Sequence, residues 1–298
     1  MRILLCAIFF VFFGMSSCKQ THQEHESFNP TFSTYKEIIN TSLQPPQNET
    51  FYGILTPVEI STIFSKLNIT SVDSALNPTS NSDSYLSASK VSLNTGVYGV
   101  DFGYLKLLGI SQRMLNYMVT IREMSSKLGI PDQYFIKPLR EIQLNITDPD
   151  SVMKFMNNAF YDMETHLRSG GRESVAGLII LGGWIEALYI ATHVVYDPAN
   201  PHPEVVQKIA EQKYTLTTLL SFLKNYYDDP VVVYYTKKLK YLKRYFDTFD
   251  IYFKTGDLEI DTNKQILRSS GSAMTITPQA LEQIRNYAAK LRAEIVEP

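Results

Sequence analysis

The sequence predicts an all-α fold, a multi-helix bundle with one short extended excursion before its last helix. Three observations carry this. Apolar residues recur at spacings of three and four through most of the chain after about residue 56. Pro, Gly and Asp punctuate those runs at helix-sized intervals. Two-residue alternation is confined to a weak patch over 256–276 (Leu258, Ile260, then Ile266), too little for an α/β sheet.

The elements follow in order. Thr56-Pro57, with Glu59 close behind, reads as a helix start that places Ile60, Ile63, Phe64 and Leu67 on one face. Residues 70–84 are rich in Ser, Asn, Thr and Asp and read as a loop. Helices are expected over about 84–108, 111–128 and 133–142. Asp148-Pro149-Asp150-Ser151 sets acids at the positive end of a further helix, which stops at Gly170-Gly171. Residues 172–196 form the most apolar segment, ended by Asp197-Pro198. Two more helices span 203–226 and 231–253, the second carrying Tyr235, Leu239, Leu242, Phe246, Phe249 and Phe253 as one stripe. Thr277-Pro278 opens the last, with Leu281, Ile284, Ala288, Leu291 and Ile295 inside.

The N-terminus is of another kind. Arg2 precedes an apolar run, Ile3 to Phe13, followed by Gly14-Met15-Ser16-Ser17 and Cys18. A basic start, a short apolar core and small residues make a secretory signal, too short to span a bilayer. The small pair before Cys18 resembles the lipobox of bacterial lipoproteins, with Met15 where that pattern most often has Leu. That resemblance implies removal of residues 1–17, diacylglycerylation of Cys18 and acylation of its new amine, an anchor of two or more chains. Residues 18–33 then read as a polar tether in which His22, Glu24, His25 and Glu26 are solvated. Residues 34–298 are expected to form a single helical domain.

Composition narrows the chemistry. The two cysteines are Cys6, inside the leader, and Cys18, so the domain has no thiol for a disulfide, a nucleophile or a zinc-thiolate site. Loss of Arg2 takes the net charge from −2 to −3, and nothing suggests a nucleic-acid partner. His-Glu-x-x-His, Gly-x-Ser-x-Gly, phosphate loops and dinucleotide fingerprints are missing from the sequence. No cofactor, no metal site and no catalytic residue is assigned.

Two glycine-bearing stretches stand out. Gly96, Gly99 and Gly103 recur along one helix face beside Asp101, and each costs about 1 kcal/mol relative to alanine, so a close approach to that backbone is expected. Gly182-Gly183 precede Trp184, Glu186, Tyr189 and His193. The stretches look alike, which leaves open two similar halves packed together. Glu186 sits inside an apolar run, Val175 to Val195, nearly long enough to cross a membrane. A carboxylate there favours a core helix, where it must be paired or protonated. Asp101, Glu186, His193 and Trp184 therefore form a candidate buried polar site, and the two glycine helices are expected to touch or share a neighbour. Asp162 and His166 make a further i, i+4 pair. Tyr234, Tyr241, Tyr245 and Tyr252 beside Lys237, Lys240, Lys243 and Arg244 read as a core boundary flanking a solvated basic face.

Tyr85, Asn94, Gly96, Tyr98, Asp101 and Tyr104, then Gly182-Gly183-Trp184-Ile185-Glu186, then Arg292 and Ile295 resemble uncharacterised envelope lipoproteins of Bacteroidota. The resemblance implies an all-helical lipoprotein and carries no catalytic residue. Asp73-Ser74-Ala75 and Asp150-Ser151-Val152 also resemble the short O-glycosylation triplet of that phylum. The expected function is a lipid-anchored helical protein of the bacterial cell envelope, at the outer membrane. It would act as a non-enzymatic binding or scaffold protein with an envelope protein or glycan as partner. The alternative is a metal-dependent or acid–base enzyme centred on Glu186, Asp101 and His193.

Overall fold

The computed structural model describes residues 75–107, 110–134, 137, 140–141, 158, 161–253, 258–261, 266–269 and 272–298. The leader 1–17, Cys18, the tether 18–33 and the helix opening at Thr56-Pro57 lie outside them, as does the start of the helix expected from Asp148. The described residues belong to one unit, Pro46–Pro298. Their long helices are α1 (Ala88–Leu107), α2 (Ser111–Lys127), α3 (Glu173–Ile190), α4 (Pro203–Leu223), α5 (Pro230–Phe246) and α6 (Pro278–Val296). Residues 161–169 are also helical, and α3 continues into a π-helical turn, Ala191–Val195.

The all-α expectation holds, and helix α3 shows why. It is apolar on every side, so no face of it can be left to water. Glu173–Val195 is long and apolar enough to cross a membrane, yet 89% of its apolar window is buried inside the fold. It packs on α1, α4 and α6, while α5 bridges α4 and α6 and α2 lies on α1. The final helix buries Leu281, Ile284, Ala288, Leu291 and Ile295, the stripe its spacing predicts.

Helix ends follow local chemistry. Asp229 accepts hydrogen bonds from the Val231 and Val232 amides at the start of α5, and Thr277 from the Ala280 amide at the start of α6. Gly171 (φ 66°) ends the 161–169 helix in the left-handed conformation, where the Arg172 amide bonds back to the Leu167 carbonyl. Gly129 (φ 62°) ends α2 in the same way.

Helix α1 begins at Ala88 rather than near 84, and residues 132–134 form a 3-10 turn where a helix is expected from 133. Two further segments differ more. Helix α5 stops at Phe246 rather than 253. Asp247, Thr248 and Asp250 compete for backbone hydrogen bonds, and Ile251-Tyr252-Phe253 is a strand-forming triplet. That triplet is β1 (Ile251–Phe253), paired antiparallel with β4 (Ser272–Met274) in the register Ile251 opposite Met274. Between them β2 (Leu258–Asp261) pairs antiparallel with β3 (Ile266–Ser269), making the extended excursion before the last helix. Phe249 stays buried beyond the helix end, 6.1 Å from the Phe246 ring. The second difference is the loop expected over 70–84. Its described part runs inward at Ala75, Leu76 and Asn77 before a 3-10 turn at Thr79–Ser84.

Candidate functional site

Helices α1 and α3 touch backbone to backbone. A Cβ on Gly182 would lie 1.9 Å from the Leu93 carbonyl oxygen, and one on Gly96 would lie 1.9 Å from that of Ile179. Only glycine permits this approach. The likeness of the two glycine stretches is thus that of two sides of one crossing. Gly99 plays no part, since a Cβ there meets nothing within 4 Å.

This crossing brings Asp101 of α1 and Glu186 of α3 together, both fully buried. Arg292 of α6 holds Glu186 with two donors, Nε to Oε2 at 3.0 Å and Nη2 to Oε1 at 3.2 Å. Asp101 Oδ2 accepts the Asn77 amide at 3.0 Å. Asp101 Oδ1 receives no donor, and its neighbour is the Glu186 carboxylate. Two carboxyls in so dry a place share one proton. Burial first, then the Glu186 charge, push Asp101 well above the ordinary aspartate range. Burial raises Glu186 as well, but Arg292 opposes that shift. The proton therefore sits on Asp101 and is donated to Glu186, which is the anion of the Arg292 pair.

Around this centre a polar network fastens residues 75–85 into the core. Arg292 Nη2 also donates to the Ala75 carbonyl (2.7 Å), and the Tyr117 hydroxyl donates to the Asn77 carbonyl (2.8 Å). The Asn77 amide group donates to Asn94 Oδ1 and to the Tyr85 oxygen, both at 3.1 Å. The Tyr85 hydroxyl in turn donates to the Val296 carbonyl (2.7 Å), and the Tyr98 hydroxyl to the Pro78 carbonyl (2.9 Å). An irregular segment carries many backbone groups that a core must satisfy, and these side chains satisfy them.

The other two candidates lie apart. Trp184 is two positions from Glu186, a rotation of about 200° on an α-helix, so it faces α4. There its indole nitrogen donates to Thr215 Oγ1 (3.2 Å), which donates to Gln212 Oε1 (2.8 Å). His193 lies in the π-helical turn, near the surface. Its ring stacks on Tyr189 (centroids 4.4 Å apart), and the Arg292 guanidinium sits 4.6 Å from the Tyr189 ring. It thus reaches Glu186 only through Tyr189 and Arg292. Burial, then Arg285, hold its imidazole below the ordinary histidine value.

Among the described residues no group of three His, Cys, Asp or Glu side chains converges as metal ligands do. Asp162 and His166 line a cavity of about 560 Å³ with Tyr134, Lys137 and Tyr161, and the Tyr134 ring lies 5.1 Å from that of His166. Arg292 is the residue that site reasoning missed. The signal was present: it follows Ala288 by four, which sets a cation inside the apolar stripe of α6, and the acid inside the apolar run of α3 requires one. No family model, curated protein or solved structure matches this chain.

Proposed function

We propose that the protein is a lipid-anchored helical lipoprotein of the bacterial cell envelope, held at the outer membrane through Cys18, whose domain binds or scaffolds an envelope partner rather than catalysing a reaction. The observation that supports this most is the use made of the buried polar groups. Asp101, Glu186 and Arg292 are consumed in fastening residues 75–85 to three helices, and His193 stands off the acids. A catalytic acid–base pair needs reach to a substrate proton; these two carboxyls are fully buried.

The anchor is supported by the leader and the residues before Cys18, and by the likeness to Bacteroidota envelope lipoproteins. Replacing Cys18 with Ser is expected to abolish acylation and release the domain or leave it unprocessed. A Ser variant that still fractionates as a processed membrane protein after high-salt washing overturns the anchor. Metal analysis of the purified protein tests the catalytic alternative. Stoichiometric metal that disappears in Glu186→Gln overturns the scaffold reading. Crosslinking in the envelope, followed by purification, identifies the partner.

A further inference from the structure

Helix α5 is unlike the rest of this acidic chain. Its sequence, PVVVYYTKKLKYLKRYF, holds five cations and no acid. Val232, Tyr235, Leu239, Leu242 and Phe246 face the core. At 100° per residue, the exposed Tyr234, Lys237, Lys240, Tyr241 and Arg244 share the outer side, with the half-buried Lys238 and Tyr245 at its edge. Tyr234 is 48% exposed and Tyr241 44%. The Tyr287 ring of α6 lies 5.1 Å from that of Tyr241 and 6.0 Å from that of Tyr245, which extends the aromatic ridge onto the neighbouring helix.

The charges on this ridge are only partly answered. Lys238 pairs with Glu294 at 2.7 Å, and Lys243 with Asp247. Among the described residues Lys237, Lys240 and Arg244 have no acid within salt-bridge distance. Lys240 lies 5.9 Å from the Tyr227 ring and Arg244 5.4 Å from that of Tyr241, so cations and tyrosine faces are interleaved. Tyrosines set among lysines and arginines are the composition of a surface at headgroup depth. The ring sits at the boundary, its hydroxyl stays wet, and the cations meet lipid phosphates.

We infer that the outer face of α5, with Tyr287 of α6, is a docking surface for the anionic phospholipid headgroups of the membrane to which the protein is tethered. The inference rests on the lipid-anchored reading, because three unanswered cations give only weak binding by themselves. Tethering raises the local concentration of the bilayer enough for such a surface to act. Its consequence is orientation: the face of α5 turns toward the bilayer, and the opposite side of the bundle toward a partner.

The test uses the processed chain beginning at residue 18 with Cys18→Ser, so that no acyl chain contributes. It is sedimented with vesicles of phosphatidylcholine alone and of phosphatidylcholine with phosphatidylglycerol. Binding is expected only to the vesicles containing phosphatidylglycerol, and it should fall as salt is raised. The triple substitution Lys237→Gln, Lys240→Gln, Arg244→Gln should weaken partition on the order of 100-fold. Its circular dichroism should match that of the parent, because all three side chains are exposed. Equal binding to both vesicle types, or no loss in the folded triple variant, overturns the inference. So does binding to a soluble anionic polysaccharide without binding to vesicles. Acyl labelling of Cys18 in cells is scored separately. A labelled Cys18 with no vesicle binding sinks this inference alone, and vesicle binding with an unlabelled Cys18 sinks the anchor alone.

Discussion

Arg292 and Glu186 stand 106 positions apart in the chain and meet through two hydrogen bonds, at 3.0 and 3.2 Å, with the carboxylate fully buried and the guanidinium side chain 13% exposed. The pair joins the last helix to the central one. Through Asp101 it also reaches α1, and through the Ala75 carbonyl it reaches the segment that enters the core. A buried ion pair is often no more stabilising than a well-packed apolar substitute, because both charges must be desolvated, but either half without the other is costly.

Removing one half should therefore be expensive. Glu186→Gln and Arg292→Met are each expected to destabilise the domain by about 3–5 kcal/mol, read as a shift in the urea midpoint. The double variant should lose clearly less than the sum of the two. Additive losses would mean that the two side chains do not act as a pair.

Asp101 behaves differently because it carries the proton. Asp101→Asn keeps a donor toward Glu186 and an acceptor toward the Asn77 amide, so a loss of about 1 kcal/mol or less is expected. Asp101→Ala removes both groups and should cost about 1–3 kcal/mol.

The same proton makes stability depend on pH. A carboxyl whose folded pKa is raised binds a proton that the unfolded chain has released. Its contribution is fully present below the unfolded value, near 4, and is lost as pH rises through the folded value. Above about pH 4, wild-type stability should thus fall relative to Asp101→Asn with a limiting slope of about 1.4 kcal/mol per pH unit. Parallel curves for the two proteins would place the proton elsewhere.

The glycines separate contact from habit. Gly96→Ala and Gly182→Ala drive a methyl into a carbonyl oxygen and should each cost about 3 kcal/mol or more, since neither backbone can move aside without parting the helices. Gly99→Ala meets open space and should stabilise the helix by about 1 kcal/mol. Thermal melts of the three variants read the order directly. A destabilising Gly99→Ala would contradict the packing described above.

Asn77 tests the fastened segment. Its side chain contacts Tyr85, Asn94 and Asn81, and all of it is buried. Asn77→Ala is expected to cost about 1–3 kcal/mol and to expose residues 75–86 to limited proteolysis. Protection equal to wild type would show that the segment is held by other contacts.

Much of this protein was legible one helix at a time. The stripe of α6, the cap at Thr277-Pro278 and the stop at Gly170-Gly171 each depend on residues a few positions apart, so local spacing determined them. The same holds for the extended patch before α6. Glu186 was recognisable as a buried acid because an apolar run surrounds it, a property of composition alone. Its partner was only half recognisable: the stripe of α6 marks Arg292 as an inward cation, but no periodicity links it to an acid 106 positions away. Tertiary packing alone decided that Gly96 and Gly182 mark one crossing while Gly99 faces open space. It also decided that Trp184 turns to α4, and that His193 is separated from the acids by Tyr189. It further drew Ala75, Leu76 and Asn77 inward, because the side chains that satisfy the backbone there come from α1, α2 and α6. Sequence fixes which groups must be buried or paired; the long-range arrangement of helices chooses the partners, because only there do desolvation and hydrogen bonding act across distant parts of the chain.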